Sequence, residues 1–224
     1  MNYKDKSKYK IEYTGEKFSK DLSIYKVIVI GRYGVGKTTT IKKLMSKEAD
    51  GEYFPTLSVD IKNIQAKVND EIIQINIWDC CGNDKFALGT PNLFKNVSIA
   101  IIIFAINDKK SFEELEKWYN MLKEYSKDSM IFLIGNKNDL EKEREVAIEV
   151  AEKFKNDNVD IKIFFETSAL YDNNMDKLLE NIVISIYEKD QKEKNDVDNA
   201  LKKTKTLVKE DFAKQGEKKK KGCC

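Results

Sequence analysis

The sequence predicts an α/β fold with a six-stranded, mostly parallel sheet, one antiparallel strand and helices on both faces. Three observations lead there. From residue 24 to about 188, apolar runs with strand character alternate with amphipathic helical stretches, the pattern of crossovers joining parallel strands. Several runs carry apolar residues on both faces, as strands covered by helices on each side require. A glycine-rich loop lies between the first run and the first helix, at the kind of strand end where open α/β sheets bind ligands.

The elements follow in order. Residues 1–22 are rich in Lys, Tyr and Ser without clear periodicity and are expected to form a flexible N-terminal extension. The first strand spans about 24–30. It runs into Gly31-Arg32-Tyr33-Gly34-Val35-Gly36-Lys37-Thr38, which reads G-x-x-x-x-G-K-T, and a helix continues through Thr39 to about Ser46. Glycines let such a loop turn tightly enough to aim its N–H groups at phosphate oxygens, and the helix adds its positive end. Lys37 is then placed to reach the β- and γ-phosphates, and the Thr38 hydroxyl to ligate Mg²⁺. After a connection from Lys47 to Pro55, ending in Thr56, residues 57–68 roughly alternate, Asn69-Asp70-Glu71 reads as a turn, and Ile73, Ile75 and Ile77 form the return strand. That hairpin ends in Trp78-Asp79-Cys80-Cys81-Gly82, with the Asp79 carboxylate where a metal partner of the phosphate loop belongs.

The remaining strands are expected at 99–106, 130–134 and 161–165, and helices at 111–122, about 143–156 and about 174–188. Ser111 opens the first of these with a capping-box pattern. The fifth strand ends in Gly135-Asn136-Lys137-Asn138-Asp139, the sixth in Glu166-Thr167-Ser168-Ala169-Leu170. Past 188 the apolar pattern gives way to Lys, Glu, Asp and Asn. Residues 189–224 are read as a flexible tether closing in Lys218-Lys219-Lys220-Lys221-Gly222-Cys223-Cys224, so that a single domain, 23–188, carries the chemistry.

Composition narrows the function. A net charge of +2 gives no general attraction to nucleic acid, and the absence of histidine excludes histidine-based acid–base and metal chemistry. The longest apolar run, Ile99 to Ile106, is far short of the ~20 residues of a membrane span. The four cysteines form two adjacent pairs with neither a disulfide framework nor zinc-ligand spacing, which fits a reducing cytosol. The N-terminus has no hydrophobic signal core.

The ordered set G-x-x-x-x-G-K-T, a Thr eighteen residues beyond the loop's Thr, W-D-x-x-G, N-K-x-D and E-T-S-A resembles a Rab-type small GTPase of the Ras superfamily, over roughly residues 24–188 and the last few residues. The resemblance implies a P-loop GTPase fold, GTP/GDP and Mg²⁺ as ligands, and a GDP/GTP switch in vesicle traffic. By the same resemblance Gly34, Val35, Gly36, Lys37, Thr38 and Thr39 cradle phosphate. Thr56 meets Mg²⁺ and the γ-phosphate, Asp79 lies behind Mg²⁺, and the Gly82 amide senses the γ-phosphate. Asn136, Lys137, Asp139, Ser168, Ala169 and Leu170 hold the base. The Ala169 amide is expected on the guanine carbonyl. A carboxylate at Asp139 suits guanine, which offers N1–H and a 2-amino group where adenine offers no such pair.

Family likeness further implies an exchange factor, a GTPase-activating protein, a prenylation escort, a GDP-dissociation inhibitor and effectors bound through the switch regions. It implies a monomer on the cytoplasmic face of intracellular membranes, with a cytosolic pool. Two geranylgeranyl chains on Cys223 and Cys224 would anchor stably where one anchors only marginally.

Departures from the family pattern lie around the reacting end. The usual D-T-A-G-Q-E is here Asp79-Cys80-Cys81-Gly82-Asn83-Asp84. Asn83 stands where Gln orients the attacking water. It is shorter by about 1.5 Å, and misplacement on the order of 1 Å can lower a rate ~10²-fold. Tyr33 replaces a small loop residue, where a phenol crowds the γ-phosphate or a partner's arginine. Ala49 replaces an aromatic that usually covers the nucleotide, which predicts faster nucleotide release. Leu170 stands for the usual Lys. Weak hydrolysis is therefore expected, with Asn83, Lys37, Thr56 and Gly82 as the catalytic set. The alternative is a GTP-loaded, hydrolysis-deficient scaffold of the same fold. An ATP-using small-molecule kinase leaves Asn136-Lys137-Asn138-Asp139 unexplained.

Overall fold

The computed structural model describes residues 9–14, 23–45, 59–81 and 91–220. Its strands are β1 (Ile11–Thr14), β2 (Ile24–Ile30), β3 (Asp60–Val68), β4 (Glu71–Asp79), β5 (Ile99–Ala105), β6 (Met130–Asn136) and β7 (Ile161–Glu166). Its helices are α1 (Lys37–Leu44), α2 (Lys109–Glu113), α3 (Leu115–Tyr125), α4 (Ile148–Asp157) and α5 (Met175–Lys220). The strands make one sheet in the order β1-β3-β4-β2-β5-β6-β7. β3 runs antiparallel to both its neighbours, and every other pairing is parallel.

The sheet therefore has seven strands where six were expected, with one antiparallel strand as expected. The seventh is β1, inside the stretch read as an extension. Ile11 and Tyr13 stand opposite Val68 and Ala66 of β3, both fully buried. Lys10 and Asn69 lock the far end: the Asn69 N–H donates to the Lys10 carbonyl at 2.8 Å, and the Lys10 N–H donates to Asn69 Oδ1 at 3.1 Å. Asn69 sits at the hairpin turn with φ 55°, a left-handed conformation that Asn tolerates.

Strand alternation divides the core between two layers. Ile28, Ile30, Ala100, Ile102 and Phe104 pack with Leu115, Trp118 and Leu122 of α3 and Ala151 of α4. The intervening residues Val27, Val29, Ile99, Ile101 and Ile103 are equally buried, as are Ile41 and Leu44 of α1 and Met175, Leu178 and Ile182 of α5. Helices thus cover both faces. Burying a side chain of this size contributes roughly 1.5–3 kcal/mol, so the central strands hold the site loops on a rigid frame.

Three boundaries differ from expectation. The cap of α2 is Asp108, whose carboxylate accepts from the Ser111 N–H at 3.2 Å; Ser111 lies one turn inside, its Oγ donating to the Asp108 carbonyl at 2.6 Å. The segment after β6 is a 3₁₀ turn, Asn138–Glu143, and α4 begins only at Ile148. α5 continues past 188 to Lys220, because the many Lys, Glu, Gln, Ala and Leu residues beyond 188 are good helix formers and no proline interrupts them. The chain divides into two compact units, Met1–Ile186 and Tyr187–Cys224. In the second, Lys194 pairs with Asp190 one turn away at 2.7 Å. No described helix is long and apolar enough to cross a membrane.

Candidate functional site

The parallel arrangement puts the ends of β2, β4, β6 and β7 on one side of the sheet, so the loops that follow them converge. The first runs Gly31 to Gly36 and delivers the chain into α1. Gly31 has φ 138°, and a Cβ there would lie 2.1 Å from the Ile103 carbonyl oxygen. Gly36, φ 97°, forms the N-cap of α1 without a side-chain cap. The first-turn amides, at Lys37, Thr38 and Thr39, have no carbonyl one turn back within the helix. They present donors and the positive end of the dipole. Val35 is fully buried and fixes the loop from below.

Lys37 is itself buried, at 6 % exposure. Its Nζ donates to the carbonyls of Gly31 at 3.0 Å and Arg32 at 2.9 Å, so the ammonium is held inside the loop's curve. Burial pulls its pKa down, opposed by the nearby Asp79 charge.

Asp79 closes β4, 3 % exposed. Its Oδ2 accepts from Thr38 Oγ1 at 2.6 Å. Among the described residues, Oδ1 has no hydrogen-bond partner although it is buried. Burial pushes the carboxyl up, and the Thr38 hydroxyl and Lys37 pull it back. A half-satisfied buried carboxylate joined to a threonine hydroxyl suits a divalent cation. No group of three or more Cys, Asp or Glu capable of holding a metal exists among the described residues. The residues present fit the ion: Thr38 and Asp79 would hold it. Neighbouring Cys80 is buried, and its thiol is pushed up to about 12 by burial, which makes it a core residue rather than a nucleophile.

The ends of β6 and β7 are tied to the phosphate loop by Asn136. Its Nδ2 donates to the Val35 carbonyl at 2.8 Å, while its Oδ1 accepts from Thr167 Oγ1 and from the Ala169 N–H, each at 3.2 Å. At 2 % exposure Asn136 is a bracket between loops. The Ala169 N–H, expected on a guanine carbonyl, is engaged with this side chain, so a base would have to share or displace that bond. Lys137 follows with φ 65°, a left-handed conformation that costs about 1–2 kcal/mol away from glycine. Such strain collects at functional sites. Asp139 is exposed at the rim, Ser168 is buried with its Oγ accepting from the Tyr171 N–H at 3.1 Å, and Leu170 is exposed.

Sequence reasoning missed the brace beneath these loops. Arg144 clasps Glu166 through two parallel bonds, Nη1 to Oε1 and Nη2 to Oε2, both 2.7 Å. It also donates to both carboxylate oxygens of Glu141, at 2.9 and 2.6 Å. The E of E-T-S-A was the available signal; its partner lies 22 residues earlier, where no motif points.

Arg32 and Tyr33 occupy the outer wall of the phosphate loop. The Arg32 guanidinium carbon lies 4.4 Å from the centre of the Tyr33 ring. Its Nε donates to Glu114 at 2.9 Å, and Nη1 to Asp108 at 3.4 Å. Thr56, Gly82, Asn83, Ala49, Cys223 and Cys224 lie outside the described residues.

The chain matches the family model described as Ras family over residues 26–188. It is 32% identical over 163 residues to "Ras-related protein Rab-11B" of Dictyostelium discoideum, covering 72% of this chain and 73% of that one. It is 31% identical over 166 residues to "Ras-related protein Rab-11C" of the same organism, covering 73% of each. It is 30% identical over 207 residues to "Ras-related protein YPTC6" of Chlamydomonas reinhardtii, covering 90% of this chain and 94% of that one.

Proposed function

This chain belongs to the Ras family as a Rab-type small GTPase, and from that premise we propose that it is a GDP/GTP switch, slow to hydrolyse GTP, acting on membrane traffic. The observation that carries the reading is the bracket of Asn136, one side chain bonded both to the phosphate loop and to the loop after β7. It supports a ligand with a phosphate chain at one end and a base at the other. Asp139 at the rim is the group suited to select guanine.

Lys37 and the first-turn amides of α1 neutralise charge on the β- and γ-phosphates, in a site whose donors are fixed before the substrate arrives. Mg²⁺, when bound, supplies further neutralisation of developing phosphate charge. By family likeness Thr56 and the Gly82 amide engage the γ-phosphate, and its loss frees both segments and changes the surface that effectors read. Asn83 orients the attacking water from a shorter reach than Gln, and Tyr33 crowds the same end. Cys223 and Cys224 carry geranylgeranyl groups that hold the GTPase on the cytoplasmic face of a membrane. Exchange, activating and escort proteins serve the cycle, as they do for its kind.

Single-turnover hydrolysis with Mg²⁺ on the purified full chain, before and after Asn83→Gln, is the test. The expected result is a slow rate that the substitution raises. A normal rate, unaffected by Asn83→Gln, sinks the slow-switch reading. The nucleotide carried by protein taken from cells separates a cycling switch, which holds GDP, from the GTP-loaded scaffold.

A further inference from the structure

We infer that Arg32 is a positioning residue, locked by Glu114 and Asp108, which fixes the Tyr33 ring at the wall of the phosphate loop and through it sets how freely hydrolysis proceeds. The hydrolytic part rests on the reading that Tyr33 crowds the reacting end.

The geometry is specific to a guanidinium. One planar group lies against the Tyr33 ring, 4.4 Å from its centre, and its Nη2 also meets the phenol oxygen at 3.3 Å. The same group sends Nε to Glu114 and Nη1 to Asp108. Arginine can stack and fork at once; lysine is a point charge on a flexible stem. Both anchors are themselves fixed. Asp108 caps α2 through the Ser111 N–H. Glu114 is the hinge residue between α2 and α3, and its N–H bonds the Lys110 carbonyl at 3.2 Å. The phosphate loop is thereby fastened to the corner that follows β5.

Tyr33 by itself has little to hold it, with 58 % of its surface exposed. A solvent-facing ring ordinarily changes rotamer in picoseconds to nanoseconds. Among the described residues, the Arg32 guanidinium holds the ring both by stacking and by a hydrogen bond. Arg32 is only 20 % exposed in its side chain, so its stem is packed while its head is neutralised by the two carboxylates. It is therefore directed to the corner rather than to a phosphate.

The experiment has two readouts on the full-length protein. In the first, 3-fluorotyrosine is placed at position 33 and followed by ¹⁹F NMR in otherwise unaltered chain, in Arg32→Lys and in Glu114→Gln. The ¹⁹F signal shifts and narrows in both substituted chains if the clamp holds the ring. An unchanged signal overturns the clamp, whether or not the protein hydrolyses GTP. In the second, Arg32→Ala is measured by single-turnover hydrolysis with Tyr33 present and again in the Tyr33→Gly background. The expected result is acceleration of roughly threefold or more with Tyr33 present, and none in Tyr33→Gly. Equal effects in both backgrounds, or none in either, overturn the positioning role. Glu114→Gln removes the charge that anchors Nε while keeping the side chain's size, so it should fold and decides the matter if Arg32→Ala does not. A chain that fails to bind guanine nucleotide sinks the GTPase switch reading instead, and the ¹⁹F readout still stands.

Discussion

Asn136 Nδ2 donates to the Val35 carbonyl at 2.8 Å, joining positions 101 residues apart. The same side chain accepts from Thr167 and Ala169. Asn136→Ala strands the Val35 carbonyl and the Ala169 N–H, both on buried residues. An unsatisfied buried group costs about 1–3 kcal/mol, so with two stranded stability should fall by about 2–6 kcal/mol. Urea unfolding measures that loss, and titration with a fluorescent GDP analogue should show affinity weakened at least tenfold.

Gly36 leaves no room for a side chain: a Cβ would sit 2.3 Å from Asn136 Nδ2, on a backbone with φ 97°. Gly36→Ala should therefore disturb the bracket as well as the loop. The left-handed backbone alone contributes roughly 1–2 kcal/mol of destabilisation. Thermal melting should show the drop, with nucleotide affinity falling beside it.

Arg144 and Glu166 are both largely shielded, their side chains 18% and 12% exposed. Arg144→Met leaves a carboxylate with its two shortest partners gone. Breaking a buried pair from one side costs about 3–5 kcal/mol, whereas replacing both partners with apolar groups is often nearly neutral. Arg144→Met should thus be worse than the double variant Arg144→Met/Glu166→Met. A double-mutant cycle by chemical denaturation gives the comparison.

Chelation probes the Thr38–Asp79 pair. EDTA added to GDP-loaded protein should speed GDP release roughly tenfold or more if Thr38 and Asp79 hold a cation that stabilises the bound nucleotide. In Thr38→Val the difference with and without EDTA should shrink, because the hydroxyl that meets Asp79 is lost. Stopped-flow or fluorescence release assays read both.

One surface pair predicts a pH effect. Asp160 accepts from Lys123 Nζ at 2.5 Å and from the Tyr119 hydroxyl at 3.1 Å, and the Lys123 bond leads in holding its carboxyl below the ordinary range. A depressed carboxyl contributes stability that is full above its unfolded pKa and is lost as pH falls through the folded one. Stability should decline below about pH 4, where an unfolded Asp takes up its proton, and Asp160→Asn should flatten that part of the curve. At this exposure the effect at pH 7 is under about 1 kcal/mol.

The site was legible where one residue type answers one chemical need. Gly31 and Gly36 announce a tight loop because nothing larger fits, and Asp79, ending a buried strand beside that loop, lies where expected, its carboxylate on the Thr38 hydroxyl. The central strands were equally plain, being apolar throughout. The brace was not legible. Arg144 meets Glu166 only because a 3₁₀ turn after β6 brings it back under β7, and that turn read as the approach to a longer helix. Asn136 read as a base ligand; that its carboxamide is taken up in joining loops depends on distances that a motif does not carry. β1 escaped notice because four residues are too few to establish a period of two. The cap of α2 was misplaced because Asp108 and Ser111 are both good capping types, and only the hydrogen bonds tell them apart.

The pairing of β1 with β3 bears on how copies of this protein meet one another. A bare strand margin is a template on which another chain can add its own strand. β1 occupies that margin beside Gln65 to Val68. The margin β1 offers in its place is four residues long and is flanked by an ion pair, Lys10 Nζ to Glu12 Oε1 at 2.8 Å, both features that discourage further addition. β1 thus shields the Gln65–Val68 end of β3 from strand addition, whereas Asp60 to Ile64 of β3 have no strand partner on that side among the described residues. A copy cut to begin after Thr14 should keep its fold and its nucleotide loops yet gather into oligomers as its concentration rises.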